Sequence, residues 1–335
     1  MAIEPITGPI VVITSFPFIQ NVWIPLFQKN FDRPVQQQDE TARGRVDDGI
    51  GWALFATLQV PLLLMEVVGE GAYNLYPNLR LIISVAAGVE KLLNEPSLPK
   101  HVPIVRLEDD AKCQSMTETV LAHVLNLHKG TYEYIRNQRE EQWLPRTDLP
   151  HRAQERTVAV LGYGDLGKPA AEALAAFGFN VVVWRRTSVQ GASDDQRIKF
   201  FTGDEGFTQL LNRTSILVNL LPLTPTTHGI LNKANLSQLP HGASIINLAR
   251  GGHVNDDDLL TLLDNGHIDT AVLDVFNTEP LPEGHRYWKH PRVIATPHVA
   301  AYSDPRNAGK QVMRVLEKFA KGEDYGRIVD LAAGY

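Results

Sequence analysis

Short apolar runs of three to six residues recur along this chain in two separate series, and that rhythm limits the folds open to it. The first series comprises Ile10 to Ile13, Trp52 to Phe55, Leu81 to Val85 and Ile104 to Leu107. The second comprises Thr157 to Leu161, Val181 to Trp184, Ile216 to Leu221, Ser244 to Leu248, Ala271 to Val275 and Val293 to Ala295. Runs this short without polar alternation suit strands buried on both faces, and the helical or loop stretches between them give the pattern of βαβ units. The expectation is α/β, with two Rossmann-like or flavodoxin-like domains built on parallel sheets. A chain of 335 residues is long enough for both.

Lys112 to Ile135 has helical spacing, and the polar, proline-bearing stretch from Asn137 to Glu155 reads as a surface connection. A last helix is expected from about Asn307 to Lys321, with the chain end returning to the first domain. Residues 1–110 and 300–335 would then form one discontinuous domain, into which residues 111–299 are inserted.

Composition narrows the class. With 44% hydrophobic and 21% charged residues, the chain can build cores and is not a disordered type. Its formal net charge of −6 comes without a basic cluster interleaved with aromatics, so no nucleic-acid partner is expected. The sequence shows no charged leader followed by an apolar stretch and no window near the roughly 18 apolar residues of a membrane span, so no membrane partner is expected. Cys113 is the single cysteine, which excludes an internal disulfide framework and fits a cytoplasmic compartment. The 11 histidines show no H-E-x-x-H or comparable spacing, so no metal is expected. Asp256-Asp-Asp258 reads as the acidic first turn of a helix capped by Asn255 and closed by Gly266 rather than as a cation site.

The strongest local motif is Val158-Ala-Val-Leu-Gly162-Tyr163-Gly164-Asp165-Leu166-Gly167, an apolar strand running into G-x-G-x-x-G. Gly162 permits a tight turn, Gly164 lets the backbone approach a pyrophosphate, and Gly167 lets the next helix pack close to the sheet. The helix N-terminus, with unpaired N–H groups and a positive dipole end, faces the phosphates. Selectivity for NAD usually places an acid about 20 residues further on, where it takes the ribose hydroxyls. Here that place reads Trp184-Arg185-Arg186-Thr187. Guanidinium groups offer a 2′-phosphate charge-assisted hydrogen bonds, so NADP(H) is the preferred cofactor, with NAD(H) as the alternative.

Candidate chemistry lies in the last third. Asn247-Leu248-Ala249-Arg250 ends one apolar strand, Asp274 ends another, Glu279 lies in the loop after it, and Thr296-Pro-His298 follows a third. Ligands of open α/β sheets gather at the carboxyl ends of strands, which would bring these residues to one crevice. Taken singly, each has a plain structural reading as a surface ion pair, a cap or a turn residue. Together they supply what carbonyl reduction requires. Arg250 can grip a 2-keto acid carboxylate with its planar fork of donors and polarise the neighbouring carbonyl. His298 can protonate the developing alkoxide, and Glu279 can fix the imidazole through its other nitrogen.

These motifs, with Val85-Ala-Ala87-Gly88-Val-Glu90 and Leu273-Asp-Val-Phe-Asn-Thr-Glu-Pro280, resemble the D-isomer-specific 2-hydroxyacid dehydrogenases over nearly the whole chain. Arg106-Leu-Glu-Asp109, Leu220-Leu221-Pro222 and the terminal Gly-Tyr335 look like the glyoxylate/hydroxypyruvate reductase A group of that family. The resemblance implies reduction of a short 2-keto acid to the 2-hydroxy acid, D-configured where chiral, with catalytic Arg250, Glu279 and His298. It also implies that the backbone at Ala87 and Gly88 holds the substrate carboxylate, that Asp274 lies near the nicotinamide amide, and that Leu220, Leu221, Pro222, Leu248, Ala249 and Ala300 line the cofactor cleft. A glycine-bearing turn that exposes N–H groups is the physical basis for the first of these.

Two places depart from the group's pattern. Ala56 and Thr57 stand where a bulky aromatic is common, and Asp110 to Glu118 differs in a segment expected beside the nicotinamide. Met116 there is read as a core residue rather than a cofactor contact. A different D-2-hydroxy acid substrate, or a dinucleotide-sensing binding protein, stays open as an alternative. A two-fold homodimer is expected from the resemblance and from the apolar helical stretch Met116 to Leu127.

Overall fold

The computed structural model describes residues 10–14, 25, 35–37, 52–56, 62–64, 73, 79–84, 88–148, 152–186, 197–301, 304–331 and 334. Ala87, Thr57 and Thr187 lie outside the described residues. The chain divides into two units, one of residues 1–111 with 303–335 and one of residues 112–302.

In the first unit, six strands form one sheet in the order β2-β1-β3-β4-β5-β6, with β1 at Ile10–Thr14, β2 at Val35–Gln37, β3 at Trp52–Ala56, β4 at Leu62–Leu64, β5 at Leu81–Ser84 and β6 at Ile104–Arg106. Not every pairing is parallel, as expected from the apolar runs: β3 runs antiparallel to both β1 and β4. Five residues separate Ala56 from Leu62, too few for the crossover of a dozen or more that parallel neighbours need. The end of the chain completes this unit. Helix Pro305–Lys321 is capped by the Asp304 side chain on the Arg306 N–H, and Asn307 donates to the Asp109 carboxylate at 2.7 Å. The following segment adds to the edge of β6, where the Val329 N–H bonds the Ile104 carbonyl at 2.8 Å and Val329 joins a core with Ile82, Val89 and Val102.

The second unit holds a seven-stranded sheet, ordered β13-β12-β11-β10-β7-β8-β9, in which every pair is parallel. Its strands are β7 Thr157–Leu161, β8 Asn180–Arg185, β9 Ile198–Thr202, β10 Ile216–Asn219, β11 Ala243–Asn247, β12 Ile268–Leu273 and β13 Val293–Ala295. The central strands β7, β10, β11 and β12 are almost wholly buried, because helices cover both faces and leave no polar side. One face packs Leu210, Leu236, Leu259 and Leu263, and the other packs Val120, Val124, Ala171 and Leu174.

The long helical stretch breaks once: Asp110–Lys129 ends at Gly130 in the left-handed region, and Thr131–Arg139 restarts after it. Met116, Val120, Val124 and Leu127 are buried in the core of their own unit, so this apolar stripe is not a free surface. The acidic helix forms as expected at Asp256–Asp264, with the Asn255 side chain accepting from the Asp258 N–H and Gly266 at φ 77°.

Candidate active site

The register of the second sheet sets Leu161, Asn219, Asn247, Leu273 and Ala295 in one row across β7, β10, β11, β12 and β13. Each following turn therefore leaves the same edge, with neighbouring strands about 4.8 Å apart. Chain direction across the sheet reverses between β7 and β10, and such a switch point opens a crevice at the carboxyl ends of the strands.

The glycine turn lies at this point. Gly162 adopts φ +96°, and a Cβ there would stand 3.0 Å from the Leu220 carbonyl oxygen, so the two turns flanking the switch touch. A Cβ at Gly167 would stand 2.1 Å from the Gly162 carbonyl oxygen, which only glycine permits. Helix Gly167–Phe177 can therefore settle on the sheet through Ala170, Ala171, Leu174 and Ala175. Gly164 differs from both: it is exposed, with nothing within 4 Å of its Cβ direction, and Asp165 beside it is exposed. Open backbone in front of a helix N-terminus is what a pyrophosphate needs.

Beyond β8, the Arg185 guanidinium lies 5.9 Å from the Tyr163 ring centroid and 5.7 Å from that of Phe200, which are themselves edge to face at 4.9 Å. Arg186 is exposed beside it, and no acid occupies the strand end. Trp184 turns away from this surface: its indole donates to the Gly203 carbonyl at 2.9 Å and packs on Phe207. Leu220 and Pro222 are partly exposed, whereas Leu221, Leu248, Ala249 and Ala300 are buried. Both backbone polar groups of Ala300 are engaged, its N–H by Asp274 and its carbonyl by the Thr119 and Ser115 hydroxyls. Gly88 lies just before the short helix Glu90–Leu93 in the first unit.

Arg250, Asp274, Glu279 and His298 follow the ends of the adjacent strands β11, β12 and β13. His298 Nδ1 is 2.7 Å from a Glu279 carboxylate oxygen, and the other Glu279 oxygen accepts from the Phe276 N–H at 2.9 Å. Burial pushes the Glu279 carboxyl up. The hydrogen bonds from His298 and Phe276, followed by the positive charges of His298 and Arg250, outweigh burial and hold it below its ordinary value. Asp274, 1% exposed, organises the loop that carries His298. It accepts from the Thr296 hydroxyl at 2.6 Å, the Val299 N–H at 3.0 Å and the Ala300 N–H at 2.9 Å, while its own carbonyl takes the His298 N–H at 2.8 Å. Three of the roughly four acceptor positions of the carboxylate are thereby filled. Gly251 draws the Arg250 and Glu279 loops together, since a Cβ there would stand 1.9 Å from the Phe276 carbonyl carbon.

Several contributors were not apparent in the sequence. Asn219 and Asn247 are fully buried and pair side chain to side chain at 3.0 Å. Asn219 accepts from the Leu221 N–H and Asn247 donates to the Arg250 carbonyl, so the pair fixes the start of both turns. The available signal was a polar residue ending each of two apolar strands. His123 bonds the Tyr132 hydroxyl; burial holds its pKa below the ordinary value against the opposing charge of Asp274.

The open Gly164 turn, the helix behind it and the paired arginines fit a phosphorylated dinucleotide. Among the described residues no group of three or more His, Cys, Asp or Glu could hold a metal ion, and no helix is long and apolar enough to cross a membrane.

Residues 121–300 match the family model described as "D-isomer specific 2-hydroxyacid dehydrogenase, NAD binding domain". The chain belongs to the D-isomer-specific 2-hydroxyacid dehydrogenase family and is an oxidoreductase. It is 40% identical over 262 residues to glyoxylate/hydroxypyruvate reductase A of Serratia proteamaculans, a match that covers 77% of this chain and 82% of the relative. The protein of the same name from Yersinia enterocolitica matches at the same identity and coverage. Among solved structures, a D-isomer-specific 2-hydroxyacid dehydrogenase from Xanthobacter autotrophicus, in complex with NADPH and MES, superposes with a TM-score of 0.85 at 35% identity, over 98% of this chain and 100% of that one. An NADPH-dependent glyoxylate/hydroxypyruvate reductase from Sinorhizobium meliloti, in complex with NADP and sulfate, gives 0.83 at 31% identity over the same shares.

Proposed function

We propose that this enzyme reduces glyoxylate or hydroxypyruvate with NADPH, giving the 2-hydroxy acid, D-configured where chiral. The observation that carries the reading is the His298–Glu279 pair at 2.7 Å on the sheet edge that also bears the glycine turn and Arg250. The relatives' reductase names and the NADPH and NADP complexes of the structural neighbours support the same substrate class and cofactor.

In this reading the turn from Gly162 to Gly167, with Arg185 and Arg186, would hold NADPH, and the chemistry that cofactor would supply there is hydride donation to the keto carbon. Arg250 grips the substrate carboxylate and polarises the neighbouring carbonyl. His298, with Nδ1 committed to Glu279, presents Nε2 and gives its proton to the oxygen as the carbonyl is reduced. Glu279 holds the ring in one orientation and compensates the imidazolium charge. Asp274 sets the His298 loop and, in this reading, would accept from the carboxamide of a bound cofactor.

A cytoplasmic homodimer completes the proposal. The dimer is supported by exposed apolar side chains in helix Thr131–Arg139 and just after it, namely Tyr134, Ile135, Leu144 and Trp143, the last 97% exposed. The test of the activity is NADPH consumption with glyoxylate, hydroxypyruvate, pyruvate and phenylpyruvate. Turnover highest on the first two supports it; NADPH binding without turnover on any of the four would replace it with a sensor.

A further inference from the structure

His253 lies outside the residues that the proposed reaction uses, yet it is completely buried and its ring bridges two of the turns at the sheet edge. Nδ1 is 3.1 Å from the Arg250 carbonyl oxygen, and Nε2 is 3.3 Å from the Pro222 carbonyl oxygen. The first carbonyl belongs to the turn that presents Arg250, and the second to the turn after β10 that touches Gly162. Both partners are carbonyl oxygens, so the doubly protonated ring donates to both turns, whereas a neutral ring, with one N–H, donates to one and packs against the other.

The ring is not what holds its own segment in place. The Gly252 and His253 carbonyls accept from the Gly229 and Leu231 N–H groups at 2.9 and 2.8 Å, and Val254 bridges Leu231 in parallel register. The main chain is anchored in this way without the ring, whose two nitrogens face the two turns it spans.

We propose that His253 is a positioning residue that ties the Arg250 turn to the Leu220–Pro222 turn, so that a single ring sets both the grip on the substrate carboxylate and one wall of the dinucleotide seat. The inference rests on the roles given above to Arg250 and to the Leu220–Pro222 turn. Its two halves are separable. An asparagine amide reaches about as far as Nδ1 and a glutamine amide about as far as Nε2, so His253→Asn keeps the link to Arg250 and His253→Gln keeps the link to Pro222.

The experiment measures the KM for glyoxylate, the Kd for NADPH by fluorescence and the melting temperature for both variants, with Arg250→Lys alongside. His253→Asn is expected to leave the glyoxylate KM within about twofold and raise the NADPH Kd about three- to tenfold, the effect of one buried hydrogen bond. His253→Gln is expected to show the opposite split. Equal changes in both constants in both variants would overturn the proposal. Loss of folding in both would overturn it too, because the main chain of this turn is held without the ring. A harmless Arg250→Lys is a different failure: it would bring down the role of Arg250 itself, and with it the substrate half of the link.

Discussion

Replacing Gly251 with alanine tests whether the catalytic groups depend on how closely two loops approach. The new Cβ would stand 1.9 Å from the Phe276 carbonyl carbon, 2.1 Å from its oxygen and 2.3 Å from the Asn277 nitrogen. Non-bonded carbons rest about 3.5 Å apart, so the loops must separate by about 1.5 Å. Glu279 is bonded to the Phe276 N–H, so its carboxylate moves with that loop and takes the partner of His298 away from Arg250. Misplacement by about 1 Å can cost roughly 100-fold, so kcat/KM for glyoxylate should fall at least about 100-fold. Overpacking costs about 1–3 kcal/mol, which at about 2–4 °C per kcal/mol lowers Tm by roughly 2–12 °C. Steady-state kinetics within about fivefold of the native enzyme would refute the reasoning.

Three further outcomes follow from the site. Arg185→Ala with Arg186→Ala should lower kcat/KM for NADPH at least about tenfold and change NADH far less, because charged hydrogen bonds to phosphate are worth about 1.5–3 kcal/mol each; equal losses with both cofactors would exclude phosphate recognition by this pair. The Glu279 carboxyl is held below its ordinary value in the fold, so its contribution to stability is present above the unfolded value and lost as pH falls through the lower folded one. Glu279→Gln should thus be less stable than the native enzyme at pH 7, with the gap closing below about pH 4, and urea denaturation showing a constant gap would contradict this. Sedimentation at micromolar concentration should give a dimer, with Trp143→Glu shifting it toward monomer; a native protein that sediments only as a monomer would remove the proposed interface.

Strand positions at the sheet centres were legible because burial on both faces leaves an uninterrupted apolar run, as in Ser244-Ile-Ile or Val181-Val-Val. The strands that escaped notice are short or at edges. β2 is Val35-Gln-Gln, with no apolar run, and β9 reads Ile198-Lys-Phe-Phe-Thr, where one face meets solvent. β4 is three leucines inside a longer apolar stretch that gives no boundary. The reversed direction of β3 could not be read from its residues, since direction is a property of the partners. At the site, the residues proposed for the chemistry announce themselves by type and by their place after a strand. Those that hold them do so through pairings across strands. Asn219 meets Asn247 only once β10 and β11 lie in register, and His253 meets Pro222 across 31 residues of sequence.

His298 adopts φ 54°, a left-handed conformation that costs an L side chain roughly 1–2 kcal/mol and costs glycine little. The Asp274 bonds to the Val299 and Ala300 amides and to the Thr296 hydroxyl hold the loop in that shape regardless of what occupies position 298. On the backbone conformation alone glycine is therefore favoured at the position where the proposed proton donor stands, although it would lose the bond to Glu279. Thermostability screens on this scaffold need an activity gate, because at this residue relief of backbone strain and the proposed chemistry pull toward different amino acids.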